Sequence, residues 1–90
     1  MTRYMVVERF THGARPVYAR AAEQGRMLPD GLRYLDSWIV DDGAYTTCFQ
    51  LMETDDPALF QTWIDAWRDL AEFEIHPVID STEVTRRLRI

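Results

Sequence analysis

The sequence has a single cysteine, Cys48, so no internal disulfide can form. Its two histidines, His12 and His76, lack the spacing of a zinc site, and no metal is expected. No apolar run comes near the ~20 residues that cross a bilayer. The opening segment MTRYMVVERF is too short in apolar residues for a secretory leader. There is no glycine-rich phosphate loop, repeat, low-complexity tract or linker. Positive charge is also in deficit. The net charge is −5, a poor match for a polyanion, so nucleic acid is not an expected partner. The basic end RRLRI, with Arg86, Arg87 and Arg89, reads as a solvated helix terminus, where cations meet the negative pole of the helix dipole. A lone thiol fits a reducing, cytoplasmic compartment.

What is present is one domain's worth of chain, 90 residues, read as a single domain over 1–90. A chain of this size buries only about 60–65% of its unfolded surface. With disulfides and metal absent, a partner subunit is the expected source of extra stability.

Patterning divides the chain into elements. RYMVVERF (3–10) is rich in β-branched and aromatic residues and predicts a strand. ARPVYARAAEQ (14–24) predicts a helix, with Pro16 in its first turn and Gly25 at its end. LRYLDSWIV (32–40) and AYTTCFQLME (44–53) predict two strands joined at DDG (41–43) as a hairpin. TDDPALFQTWIDAWRD predicts a helix opened by Asp55 or Asp56 as N-cap, with Pro57 as its first residue. AEFEIHPVI (71–79) predicts a fourth strand. Asp80 and Glu83 have capping-box spacing for a short last helix. The order β-α-β-β-α-β, with right-handed crossovers, predicts a ferredoxin-like α+β sandwich: a four-stranded antiparallel sheet with two helices on one face.

Alternation assigns the sheet faces. A two-residue turn at Asp42-Gly43 would pair Trp38 with Thr47, Asp36 with Phe49 and Tyr34 with Leu51; a three-residue loop would exchange the faces. The greasier strand sets are expected under the helices, which puts Tyr4, Glu8, Tyr34, Asp36, Trp38, Phe49, Leu51 and Glu53 there. The open face would carry Met5, Val7, Arg9, Leu35, Ser37, Ile39, Cys48, Gln50, Met52, His76 and Val78. That set is too apolar for water, and it predicts a homodimer with the two sheets face to face.

Trp63 and Trp67 share one stripe of the second helix with Leu59 or Phe60 and Leu70, the spacing of core residues. They could also wall a cleft and offer indole N–H donors to a ligand.

The runs GRMLPDGLRYLDSW, CFQLMETDDPALFQTWIDAW and RDLAEFEIHPVI resemble the family called domain of unknown function 3303, over most of the chain from Arg3 to Asp80. The run DSWIV departs from the family in the residues beside Trp38, Ser37 and Ile39. The family is similar to the dimeric α/β-barrel proteins, which implies paired ferredoxin-like folds. That wider group includes cofactor-free oxygenases, lactone isomerases, haem-degrading enzymes and small-molecule sensors. Their cavities lie between sheet and helices. The resemblance implies no residue roles.

The candidate ligand-binding residues are therefore Tyr4, Tyr34, Trp38, Trp63 and Trp67. The candidate catalytic carboxylates are Asp36 and Glu8, because a carboxyl half-buried among aromatics gains affinity for its proton. The two lie on strands separated by a third, about 10 Å apart, too far to share a proton. Cys48 is expected as an inert interface thiol, His76 as a hydrogen-bonded interface residue and His12 as polar loop surface, with haem ligation by either histidine left as an alternative; the leading expectation is no cofactor. The leading expectation is a homodimer that binds a small, partly apolar molecule between helices and sheet. The alternatives are a cofactor-independent oxygenase or isomerase, and an interaction module without a ligand.

Overall fold

Seven elements follow one another in the computed structural model, which describes Met1 to Ile90: β1 (Thr2–Phe10), α1 (Ala14–Gln24), β2 (Arg33–Ile39), β3 (Thr47–Thr54), α2 (Leu59–Trp67), β4 (Ala71–Val78) and α3 (Ser81–Leu88). The strands form one antiparallel sheet in the order β2-β3-β1-β4. No helix is long and apolar enough to cross a membrane.

Local chemistry sets the element ends. α1 stops at Gly25, whose φ of 69° lies in a region other residues adopt at a cost, and whose N–H donates to the Ala21 carbonyl at 2.8 Å. Before α2, Asp56 and Pro57 shape a tight turn rather than the helix's own first residues. The Asp56 carboxylate accepts from Ala58 N–H at 3.1 Å, and Leu59 N–H reaches the Asp56 carbonyl at 3.1 Å. The regular helix then begins at Leu59. α3 starts as its capping-box spacing predicts, with Glu83 N–H donating to Asp80 Oδ1 at 2.9 Å.

The core lies on one face of the sheet. Val6 and Met52 are fully buried beneath Phe60, Trp63 and Trp67 of α2, with Leu32 beside them. A smaller cluster of Phe10, Cys48 and Ala71 continues along the same face. Val17 and Ala21 of α1 lean on these clusters, yet no residue of α1 is itself buried. α1 is held to the end of α2 by Arg20. Its guanidinium forks onto both Asp69 oxygens at 2.8 and 2.7 Å and donates to the Ala66 carbonyl at 3.0 Å.

The structure corrects the face assignment of β2 and β3. β1 and β4 are as expected, with Val6, Glu8 and Phe10 opposite Ile75, Phe73 and Ala71 on the helix side. On β3, however, Cys48, Gln50, Met52 and Thr54 turn inward and are buried, paired with Glu8, Val6, Tyr4 and Thr2. Phe49, Leu51 and Glu53 face outward. Ser37 and Ile39 follow Gln50 and Cys48 inward, and Asp36 and Trp38 go outward with Leu51 and Phe49.

The expectation failed because it ranked the two sets of β3 by greasiness. Alternation yields two sets but does not say which is inside. The set with Gln50 can be buried because Glu8 and Arg26 satisfy that amide. Tyr34 alone keeps its expected side, through an irregularity between Tyr34 and Asp36 that shifts the register and restores the ring to the helix side beside Met52.

The hairpin loop is also longer than two residues. Trp38 pairs with Phe49, not Thr47. Asp42 Oδ1 accepts from Ala44 and Tyr45 N–H at 3.0 and 3.1 Å and widens the turn.

Candidate functional site

A cleft of about 350 Å³ opens between α1, α2 and the helix-side face of the sheet. Its apolar wall is Phe10 of β1, Val17 and Ala21 of α1, and Trp63 and Trp67 of α2. Its polar part is Glu8, Gln50, Ser37, Cys48, Tyr18 and Arg26. The space lies where α1 presents the short side chains Val17 and Ala21, while the indoles of α2 fill the core on the other side of the cleft.

The polar part is a relay built from three elements. Gly25 turns the chain out of α1 so that the next residue, Arg26, lies over the sheet. The Arg26 carbonyl accepts from both indoles, Trp63 Nε1 at 3.1 Å and Trp67 Nε1 at 3.0 Å. Its guanidinium lies over the Tyr34 ring, 3.4 Å from the centroid. Arg26 Nη1 donates to Gln50 Oε1 at 2.8 Å. Because a guanidinium can only donate, this bond fixes the amide's orientation. Gln50 Nε2 is thereby aimed at Glu8 and donates to Glu8 Oε1. Tyr34 is tied in from the edge strand, its hydroxyl 2.7 Å from Ser37 Oγ.

The electrostatics follow from burial. Glu8 is 5% exposed. Loss of water pushes its carboxyl up from 4.5 to about 7, against the opposing pull of the Gln50 amide and the Arg26 charge. Burial, reinforced by the Glu8 charge, pushes the Cys48 thiol up to about 11. The Tyr18 phenol is raised by burial first and then by Cys48 and Glu8. Near neutral pH the deepest group is therefore a carboxyl balanced between its two forms, flanked by a neutral thiol and a neutral phenol.

The expected residues are distributed unevenly about this cleft. Glu8, Trp63 and Trp67 line it. The indole N–H groups are not offered to a ligand, because both are committed to the Arg26 carbonyl. Tyr34 supports Arg26 from below rather than facing the cleft. Tyr4 packs edge-on against Phe60 at 5.0 Å, within the core. Trp38 is on the open face and 51% exposed. Asp36 is exposed on that face too, with Oδ1 accepting from Ser37 N–H at 2.8 Å. It lies across the sheet from the cleft, and its candidacy as the catalytic carboxylate ends there. Cys48 lines the cleft instead of an interface.

Arg26, Gln50, Ser37, Tyr18, Phe10, Val17 and Ala21 were not anticipated in the site. A signal for one of them, Gln50, exists in the sequence beside the expected Glu8. Glu8 interrupts the apolar alternation Val6, Phe10, and Gln50 interrupts Cys48, Met52. Two such interruptions on strands that pair are the mark of a buried polar couple. Arg26 gives no such signal, since its place depends on the backbone turn at Gly25.

No curated protein matches the chain. The model of Domain of unknown function (DUF3303) matches residues 2–89, nearly the whole chain, and the protein belongs to that family.

Proposed function

We propose that the protein binds a small, partly apolar molecule in the cleft between its helices and sheet. The observation that carries this reading is the Arg26–Gln50–Glu8 relay at the end of an apolar, tryptophan-walled space. Ligand sites commonly combine an apolar lining with a few oriented polar groups, and the volume of about 350 Å³ is at the small end of their range, suited to a one-ring molecule. A carboxyl that titrates near neutral pH also supports the second reading, a cofactor-independent enzyme in which Glu8 moves a proton.

Trp63 and Trp67 supply the test. A panel of one-ring compounds should include members that change tryptophan emission saturably. Ala21→Phe, which fills the cleft from α1, should abolish the response while the melting curve stays cooperative. A panel without a binder, or binding indifferent to Ala21→Phe, removes this site. Turnover of a binder, lost in Glu8→Gln, would select the enzyme.

The succession β-α-β-β-α-β with strand order β2-β3-β1-β4 supports the ferredoxin-like reading. We further propose a homodimer through the open face. Its corrected membership supports this reading: Met5, Val7, Phe49 and Leu51 form an apolar centre on the two middle strands, with Trp38 beside Phe49 on the edge strand β2. Ion pairs border it, Arg9 with Glu74 at 3.1 Å and Arg33 with Glu53 at 2.8 Å. Light scattering should give twice the chain mass, and Val7→Asp should break the assembly, since burying an unpaired charge costs several kcal/mol. A well-folded wild-type monomer refutes the pairing. The single free thiol fits a cytoplasmic protein.

A further inference from the structure

We propose that the cleft takes a small aryl or alkyl monocarboxylate, and that Glu8 carries a proton in the complex. This rests on the cleft being a ligand site, and it adds the ligand's chemical class and its proton.

Glu8 Oε1 is occupied by Gln50 Nε2. Glu8 Oε2 has no protein partner, yet no buried polar atom lacks one, so Oε2 opens onto the cleft. Every other polar group available to a ligand there can donate. Arg26 spends one of its N–H groups on Gln50 and retains others. Tyr18 and Cys48 add an O–H and an S–H, both held neutral at ordinary pH. The hydroxyls and Glu8 Oε2 can donate or accept, whereas Arg26 can only donate, so the fixed donors favour a ligand that accepts.

Charge narrows the class. An ammonium ligand would share a small space with the Arg26 cation, and Glu8 would be its one anionic partner. An anion finds the guanidinium, but is repelled by Glu8 while Glu8 is ionised. Protonation of Glu8 removes the repulsion and converts Oε2 into a further donor. The groups facing Glu8 permit this. Arg26, from the α1–β2 connection, is the one permanent charge near it. Cys48 of β3 and Tyr18 of α1 are neutral. The neighbours on α2 and β4 (Trp63, Trp67, Phe73 and Ala71) do not titrate. A carboxylate oxygen can thus accept from protonated Glu8 and from Arg26 while its apolar body lies along Phe10, Val17, Ala21 and the indoles.

The sign of the linkage is definite. The anion binds the protonated form, so affinity is highest below the Glu8 pKa of about 7. Above it, affinity falls roughly tenfold per pH unit, with up to one proton taken up per ligand. Glu8→Gln imitates the protonated carboxyl: its carbonyl oxygen accepts from Gln50 and its amide donates into the cleft.

The test uses three probes with one ring and a two-carbon chain: phenylacetate, 2-phenylethylamine and 2-phenylethanol. Calorimetry in two buffers of different ionisation heat gives affinity and proton count together. The expected result is that phenylacetate binds best, weakens roughly a hundredfold over two pH units above neutrality, and takes up a proton. Glu8→Gln should bind it with the low-pH wild-type affinity at every pH. If that variant does not fold, the pH slope and proton count of the wild type decide alone. Tighter binding of the amine, or phenylacetate binding without pH dependence or proton uptake, overturns the inference. Binding of the alcohol but not the acid overturns it while leaving the cleft as a ligand site. Binding of none of the three removes the inference and the site together.

Discussion

Replacing Glu8 with glutamine should stabilise the protein at neutral and alkaline pH. In the unfolded chain the carboxyl titrates at its ordinary 4.5, and in the fold at about 7. Below 4.5 it is protonated in both states and contributes nothing to the pH dependence. Between 4.5 and about 7 the unfolded chain has released the proton that the folded chain retains, so stability falls as pH rises. Above 7 the loss is complete. The rise from 4.5 to about 7 corresponds to about 3 kcal/mol. That is large against a total of about 5–15 kcal/mol for a native domain.

Two other perturbed carboxylates act with the opposite sign and in a different window. Arg20 holds Asp69 low and Arg9 holds Glu74 low, chiefly by hydrogen bonding, so their contributions disappear only as pH drops below the ordinary carboxylate range. From about pH 5 to about pH 8 the slope therefore belongs to Glu8. Urea unfolding at several pH values across that interval should show wild-type stability declining by about 3 kcal/mol, and Glu8→Gln unchanged. Glutamine keeps the Gln50 hydrogen bond and the volume, so the difference reports the charge alone. Equal slopes for the two proteins would refute the claim that Glu8 is buried against its charge.

Two further outcomes follow from the same geometry. Trp63→Phe and Trp67→Phe should each cost about 1 kcal/mol through the lost hydrogen bond to the Arg26 carbonyl, and the double substitution should cost more than their sum, because that carbonyl then has no partner; strict additivity in urea titrations would show that the indoles act by packing alone. Cys48 lines the cleft with its thiol pushed up to about 11, so it should react slowly with an aromatic disulfide reagent near neutral pH and faster as pH rises; fast labelling of the folded protein at neutral pH would contradict the raised pKa.

Strands, helices and their order were legible because they depend on neighbours in the chain. The Asp80–Glu83 capping spacing, Gly25 at a helix end and the period of the strands act over a few residues, and each is realised. The Phe60, Trp63, Trp67 stripe likewise placed α2 on the core, since spacing along a helix fixes which side chains share a face. Glu8 was legible as a carboxyl enclosed by aromatics.

The inward face of β3 was decided only by tertiary structure. Phe49 and Leu51 are greasier than Cys48, Gln50 and Met52, and transfer free energy alone would bury the first set. What reverses the choice is a partner. Gln50 is tolerable inside because Glu8 lies on the adjoining strand and Arg26 arrives from a loop beyond α1. A polar side chain costs free energy when it is buried alone and little when it is paired, and pairing is a property of three dimensions. The same reversal moved Asp36 and Trp38 away from the cleft and left Glu8 as its one carboxylate. Composition determined that the chain would have two unlike sheet faces, and the Arg26–Gln50–Glu8 contact determined which of them carries the site.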